Sequence, residues 1–160
     1  MSEKLPKTKV RRLPPLLRQA WYGLNQAFRQ RIAHLEITPD QFSILRWLVE
    51  SDTRGISQRE LVAMLASDPN TVASTVRRME QAALIARDVH ETDRRANRVR
   101  PTTAGKRKFK SAQKIAVEFQ DEILATLPKP ARGKFLADLE LVAEACRNAV
   151  AVAKTAKRYG

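Results

Sequence analysis

Apolar side chains early in the chain recur at helical spacing. Leu13, Leu17, Ala20, Leu24, Phe28 and Leu35 follow one another at steps of three, four or seven, which predicts one long amphipathic helix. Pro14 and Pro15 fall in its opening turn, where a missing N–H costs nothing. Thr38-Pro39-Asp40 then reads as a helix start: a capping hydroxyl, proline at the first helical position and an acid at the positive end of the dipole. The helix it opens carries Phe42, Leu45, Leu48 and Val49 on one face, and Gly55 closes the loop behind it.

Two shorter helices are predicted next. Ser57 with Glu60 three residues on forms a capping box ahead of Leu61, Met64 and Leu65. Asp68-Pro69 restarts a helix at once, with Val72, Val76 and Met79 inward and Asn70, Thr71, Ser74, Arg77 and Arg78 on the opposite side. Two short capped helices joined by a tight turn, the second polar and basic outside, form a helix-turn-helix pattern.

The period then changes. Leu84–Val89 and Asn97–Arg100 read as short strands around the polar stretch His90–Ala96, a β-hairpin wing tipped by Asp93, Arg94 and Arg95. Pro101 is expected to end the second strand early. Thr102 or Thr103 caps a helix reaching about Leu127, with Phe109, Ala112, Ala116, Phe119, Ile123 and Leu127 inward. After Pro130 a last helix carries Leu136, Leu139, Ala143, Cys146, Val150 and Ala153 on one stripe. These stripes outrun what a small winged domain covers, which points to an intermolecular bundle over an intrachain helical hairpin. The expected fold is mainly α with a small β-hairpin wing. A basic extension spans 1–12 and a winged helix-turn-helix domain 36–103. The N- and C-terminal helices, 13–35 and 104–160, form a dimerisation region.

Charge gives this layout a direction. Among 160 residues, 30 basic against 17 acidic side chains leave a net +13, which suggests a polyanionic partner. Residues 77–114 alone carry a net +8, whereas 115–150 carry a net −2. The basic face therefore coincides with the second short helix, the wing and the turn beyond it, and an almost neutral assembly segment follows. Lys106, Arg107, Lys108 and Lys110 flank the wing as mostly solvated surface.

Other classes find little support. A single cysteine, Cys146, gives no disulfide framework or Cys-rich zinc site, and reads as a small buried hydrophobe on its stripe. His34 and His90 are too far apart for a local metal pair, and no phosphate loop or nucleophile motif suggests an enzyme, so no metal or cofactor is expected. The basic start, broken by Pro6, lacks the apolar run of a secretory signal. Gln19–Phe28, the longest uncharged stretch, falls short of the roughly 20 residues a bilayer requires. The expected location is the cytoplasm, with no membrane partner.

The sequence resembles the multiple-antibiotic-resistance-regulator (MarR) family of winged helix-turn-helix transcription regulators. The resemblance rests on Ile37-Thr38-Pro39-Asp40-Gln41-Phe42 at the second helix and on Asn70-Thr71-Val72 with Val76-Arg77-Arg78-Met79-Glu80 in the recognition helix. Asp93-Arg94-Arg95 and Thr102-Thr103-Ala104-Gly105 add the wing tip and the start of the long helix. It spans about Ala20 to Leu127. One departure is Ala83, where the family usually ends the recognition helix with glycine.

The expected function is that of a homodimeric regulator, a repressor, binding double-stranded DNA at a pseudo-palindromic operator. The alternative is a basic architectural winged-helix protein with little sequence preference. Asn70, Thr71, Ser74 and Thr75 are the expected base readers, and Arg77 and Arg78 reach bases or phosphates; alternatively Thr75 packs inward and the arginines only neutralise phosphate. Ser57, Gln58 and Arg59 open a helix whose N–H groups suit a phosphate, and Arg98 lies in the basic stem of the wing. Arg95 suits a narrow minor groove, with Arg94 beside it. The resemblance implies that Asp93 orients Arg95. It also implies a small phenolic or anionic effector, for which Trp21, Phe28 and Trp47 are candidates, although aromatic residues at helical spacing are more often core.

Overall fold

The computed structural model describes residues 11–51, 55–88 and 98–159, with side chains as far as Val152. Ten elements follow in order. Helix α1 spans Leu13–Ile32 and ends in a 3-10 turn, Ala33–Leu35. Then come α2 (Pro39–Glu50), β1 (Ile56–Ser57), α3 (Gln58–Leu65), α4 (Pro69–Gln81), β2 (Ile85–Asp88), β3 (Arg98–Pro101), α5 (Thr103–Leu124) and α6 (Ala131–Tyr159). The chain divides into two compact units, residues 1–116 and 117–160, so the first takes in α1 and the opening half of α5.

The capping chemistry places the helix starts. The Thr38 hydroxyl accepts from the Gln41 N–H at 3.2 Å while Gln41 Oε1 accepts from the Thr38 N–H at 2.9 Å. Ser57 and Glu60 repeat the exchange at the start of α3, at 3.2 and 2.7 Å. Asp68 Oδ1 accepts from the N–H groups of both Asn70 and Thr71 ahead of α4. Each exchange satisfies donors that a helix start leaves open.

The helices enclose one core in the first unit. Ile32, Ile44, Leu45, Leu61, Val76, Met79 and Val99 are fully buried, drawn from α1, α2, α3, α4 and β3. Phe28 meets Phe42 edge-on at 5.1 Å between ring centroids, and Phe42 stacks on Phe109 at 5.5 Å. This aromatic line joins α1, α2 and α5, with each buried ring stabilising by about 1.5–3 kcal/mol.

The sheet has three strands where the sequence suggested a two-stranded hairpin. The order is β1-β3-β2, both pairs antiparallel, with Ile56 opposite Val99 and Ser57 opposite Arg98. Two residues are too few for alternation to betray a strand, so β1 was invisible in the pattern. Pro101 does not cut β3 short: it belongs to the strand and pairs with Ile85. Proline is tolerated there because β1 pairs only with Arg98 and Val99 and leaves that end of β3 open on one side.

Helix α4 ends in a full Schellman motif. The Leu84 N–H donates to Met79 O at 2.9 Å and the Ala83 N–H to Glu80 O at 3.0 Å, with Ala83 left-handed at φ 53°. Thr102 then joins this corner to α5. Its hydroxyl donates to Ala83 O at 2.7 Å and accepts from the Gly105 N–H at 3.0 Å, which identifies Thr102 as the cap. Gly105 has no room for a side chain, because a Cβ there meets the backbone carbonyl of Leu84.

In the second unit, the end of α5, the Pro128–Pro130 turn and α6 follow one another. Arg132 Nε donates to Leu127 O at 3.2 Å and Lys134 pairs with Asp138 at 2.7 Å. Phe119 is buried, but Ile123, Leu136, Leu139 and Val150 are exposed, as are Leu13, Leu17 and Leu24 of α1. Cys146 is exposed too, a correction to its expected burial.

Candidate nucleic-acid interface

Helix α4 has two chemically opposite sides. Val72, Thr75, Val76 and Met79 point into the core, and Asn70, Thr71, Ser74, Arg77 and Arg78 are exposed. Thirteen residues make a rod about 20 Å long, and its outer side is almost wholly hydrogen-bonding. The assignment of Thr75 as a base reader is corrected by its position. It is 4% exposed, and its hydroxyl donates to Thr71 O at 2.9 Å, so the side chain is folded back on its own helix.

The start of α3 lies beside this rod, with Arg59 exposed and Ser57 and Gln58 half-buried. Ser57 and Glu60 are already committed to each other. Hydrogen bonding from the Ser57 side chain, then from its backbone N–H, holds the Glu60 carboxyl below the usual glutamate range. Arg98 adds a smaller electrostatic pull in the same direction.

Ionic and polar links brace the stem of the wing. Arg87 Nε lies 3.0 Å from Glu80, joining β2 to the end of α4 as a contact of charges without an aligned hydrogen bond. Arg100 pairs with Asp88 across the strands at 2.8 Å. Arg98 Nη1 donates to Gly55 O at 2.7 Å, which ties β3 to the residue before β1. Gly55 needs its freedom here: its φ is +78°, and a Cβ would crowd Val99 O and Arg100. Arg98 thus serves the stem, a role that its place in a basic run did not reveal. The tip residues Asp93, Arg94 and Arg95 lie outside the described residues.

The three aromatic residues expected at an effector site are not gathered around one cavity. Trp21 on α1 is 67% exposed. Phe28 belongs to the aromatic line in the core. Trp47 is half-buried against that core, with the Arg46 guanidinium 5.9 Å from its ring. The cavity beside α4 is instead lined by Arg29, Thr38, Asp40, Gln41, Thr75 and Arg78, a polar set that the aromatic pattern could not indicate. Among the described residues no group of His, Cys, Asp and Glu is placed to hold a metal ion, and no helix is long and apolar enough to cross a membrane.

A capped helix-turn-helix, a polar recognition face and a three-stranded wing stem together make a winged helix. The MarR family model matches residues 37–96, a segment that contains the helix-turn-helix and the first two strands of the stem. Over that segment the chain is similar to the MarR family. Among its relatives, the transcriptional regulator BilQ of Clostridium symbiosum (strain WAL-14163) is 34% identical over 73 residues. That match covers 46% of this chain and about half, 51%, of BilQ. The Staphylococcus aureus MepR–DNA complex superposes with a TM-score of 0.77 at 22% identity, covering 85% of this chain and 99% of MepR. The MarR family protein Rv2887 of Mycobacterium tuberculosis, in complex with salicylic acid, gives 0.67 at 25% identity, covering 84% and 98%. These likenesses fix the fold as that of the winged-helix MarR structures. In that fold α4 is the second helix of the helix-turn-helix and β2–β3 the stem of the wing.

Proposed function

We propose that this chain is a MarR-family regulator, a homodimeric repressor that reads a pseudo-palindromic operator in double-stranded DNA in the cytoplasm. The observation that carries the reading is the division of α4 into a buried apolar side and an exposed side of Asn70, Thr71, Ser74, Arg77 and Arg78. Asn70, Thr71 and Ser74 read base edges in the major groove, and Arg77 reaches bases or phosphate. Arg59 and the N–H groups at the start of α3 take a phosphate. The wing tip, Asp93, Arg94 and Arg95, extends the footprint into the minor groove, with Arg95 as the inserted group and Asp93 orienting it.

Two-fold symmetry supplies the rest of the specificity. The exposed apolar residues of α1 and α6, among them Leu17, Leu24, Leu136 and Leu139, suit a partner copy of the same chain. A dimer presenting its two α4 helices about 34–36 Å apart reads half-sites one turn apart. A small aromatic or anionic ligand modulates this dimer by favouring a spacing that misfits DNA. The salicylic acid held by Rv2887 supports that ligand class.

Selection of bound duplexes from a random library tests the reading. The expected product is a palindromic motif whose preference changes with Asn70→Ala or Ser74→Ala. A ratio of specific to non-specific affinity near one across a salt series would instead identify an architectural DNA binder.

A further inference from the structure

Helix α5 carries its charges in the reverse of the order its dipole favours. Peptide dipoles stabilise acids at the start of a helix and cations at its end. The first turn of α5 holds no acid and its last turn no base. Lys106, Arg107, Lys108, Lys110 and Lys114 crowd the first half, and Glu118, Asp121 and Glu122 follow only in the second. Like charges four residues apart weaken the helix further.

Four of these five cations form one stripe. Lys106, Lys110 and Lys114 stand at steps of four with Arg107 beside them, and all four are exposed. Phe109 and Ala112, on the other side of the same turns, are buried in the core. The three lysines climb about 12 Å along the helix, in rises of about 6 Å. Lys108 lies off the stripe, half-buried, and pairs with Glu36 at 3.3 Å.

Partners separate the stripe from the cations that brace the fold. Arg87 meets Glu80, Arg100 meets Asp88, Lys134 meets Asp138 and Arg98 meets Gly55 O. Among the described residues no acid lies within ion-pair distance of Lys106, Arg107, Lys110 or Lys114. Their charge is uncompensated within the chain and works against the helix that carries it. Such local conflict belongs to positions that serve an outside partner, and the partner that relieves it is a polyanion. Phe109 and Phe119, the aromatic residues of α5, are both buried, so the helix offers no stacking platform for a single strand. The stripe also starts where α4 ends, because Thr102, the cap of α5, donates to Ala83 O.

We propose that Lys106, Lys110 and Lys114 form a second DNA contact, which holds the phosphate backbone of the duplex flanking the half-site taken by α4. The contact rests on the DNA binding proposed above and enlarges its footprint. A strand presents one charge per 3.4 Å of helix axis, so a stripe of about 12 Å spans roughly three phosphates. Lysine ammonium groups are point charges on flexible stems, suited to phosphates and not to base edges. This contact therefore adds affinity and salt dependence without sequence preference.

Fluorescence anisotropy with two duplexes tests it. The short duplex carries the selected operator alone, and the long one adds about ten base pairs, one turn, on each side. The full chain is expected to bind the long duplex severalfold more tightly at moderate salt. Its slope of log affinity against log salt steepens there by about 0.9 for each added phosphate contact. The combined variant Lys106→Gln, Lys110→Gln, Lys114→Gln is expected to bind the short duplex as the parent does and to lose the gain on the long one. Its melting temperature is expected to be no lower than the parent's, because like charges are removed. Equal slopes on the two duplexes for the parent would overturn the proposal, as would a gain that survives in the variant or an equal loss on both duplexes. Two duplexes bound per protein dimer would also overturn it and assign the stripe to a second DNA molecule. Failure of the parent on the short duplex is a separate result, which overturns the function proposed above and this contact with it.

Discussion

The hydroxyl of Thr102 donates to the carbonyl oxygen of Ala83 at 2.7 Å, and Ala83 is the left-handed residue that ends α4. The start of α5 is thereby bonded to the end of α4. An L-residue with a Cβ pays about 1–2 kcal/mol for the left-handed region, and glycine avoids that cost at a smaller entropic one. Ala83→Gly is therefore expected to stabilise the fold by about 0.5–1 kcal/mol. Urea unfolding of the two proteins measures it, and a lower midpoint for the variant would contradict the argument.

Gly105 makes the opposite case. Its φ is ordinary, so the constraint is space alone: a Cβ meets Leu84 O and approaches Leu45 Cδ2 at 3.1 Å. The Leu84 carbonyl is itself occupied, accepting from the Thr102 N–H at 3.1 Å. Gly105→Ala is expected to cost about 1–3 kcal/mol, the range for overpacking a closed site. A melting temperature within one degree of the parent would show that the corner can yield.

Legibility in the sequence followed the range of the interaction. Thr38, Ser57 and Asp68 act on N–H groups two or three residues away, so they mark their helices in any reading of the chain. The buried side of α4 was legible for the same reason, apart from Thr75, whose short polar side chain satisfies itself on Thr71 O. Long-range pairings left no such trace. Nothing around Ile56 announces Val99 as its neighbour, and nothing in Arg98 distinguishes a brace on Gly55 O from a phosphate contact. The cavity between Arg29 and Arg78 joins residues 49 positions apart. The aromatic candidates Trp21, Phe28 and Trp47 shared a residue class but not a cavity.

The cap of α3 carries a pH dependence. The carboxyl of Glu60 is held below its ordinary value of about 4.3 by Ser57, so the folded state binds its proton less readily than the unfolded chain does. Its contribution is complete above that ordinary value and is lost as pH falls through the lower, folded value. Glu60→Gln keeps a side-chain acceptor for the Ser57 N–H but removes the titration. Unfolding midpoints followed from pH 6 to about pH 3 are expected to fall less steeply for the variant. Parallel curves would remove Glu60 from the acid response.

Arg98 separates bracing from DNA contact by its salt dependence. If the guanidinium serves Gly55 O, Arg98→Gln weakens operator binding by loosening the wing while the slope of log affinity against log salt stays the same. If it instead neutralises a phosphate, the slope shrinks by about 0.9. The expected result is a severalfold loss of affinity with the slope retained, together with a lower unfolding midpoint. A reduced slope with unaltered stability would return Arg98 to the DNA-contacting set.

The assembly face gives the last prediction. Leu139 is 37% exposed on α6, and Leu136 and Val150 are exposed on the same helix. In the proposed dimer these side chains meet a second copy, so a charge at Leu139 is desolvated on association and has no partner. In the isolated chain it remains in water and costs almost nothing. Leu139→Glu is thus expected to give a folded monomer by light scattering, with the helical signal of the parent. Operator affinity falls sharply in parallel, because each half-site then binds alone and the gain from linking two recognition helices disappears. A variant that stays dimeric would move the assembly seam off this stripe, and a monomer that binds the full operator undiminished would remove symmetry from the recognition mechanism.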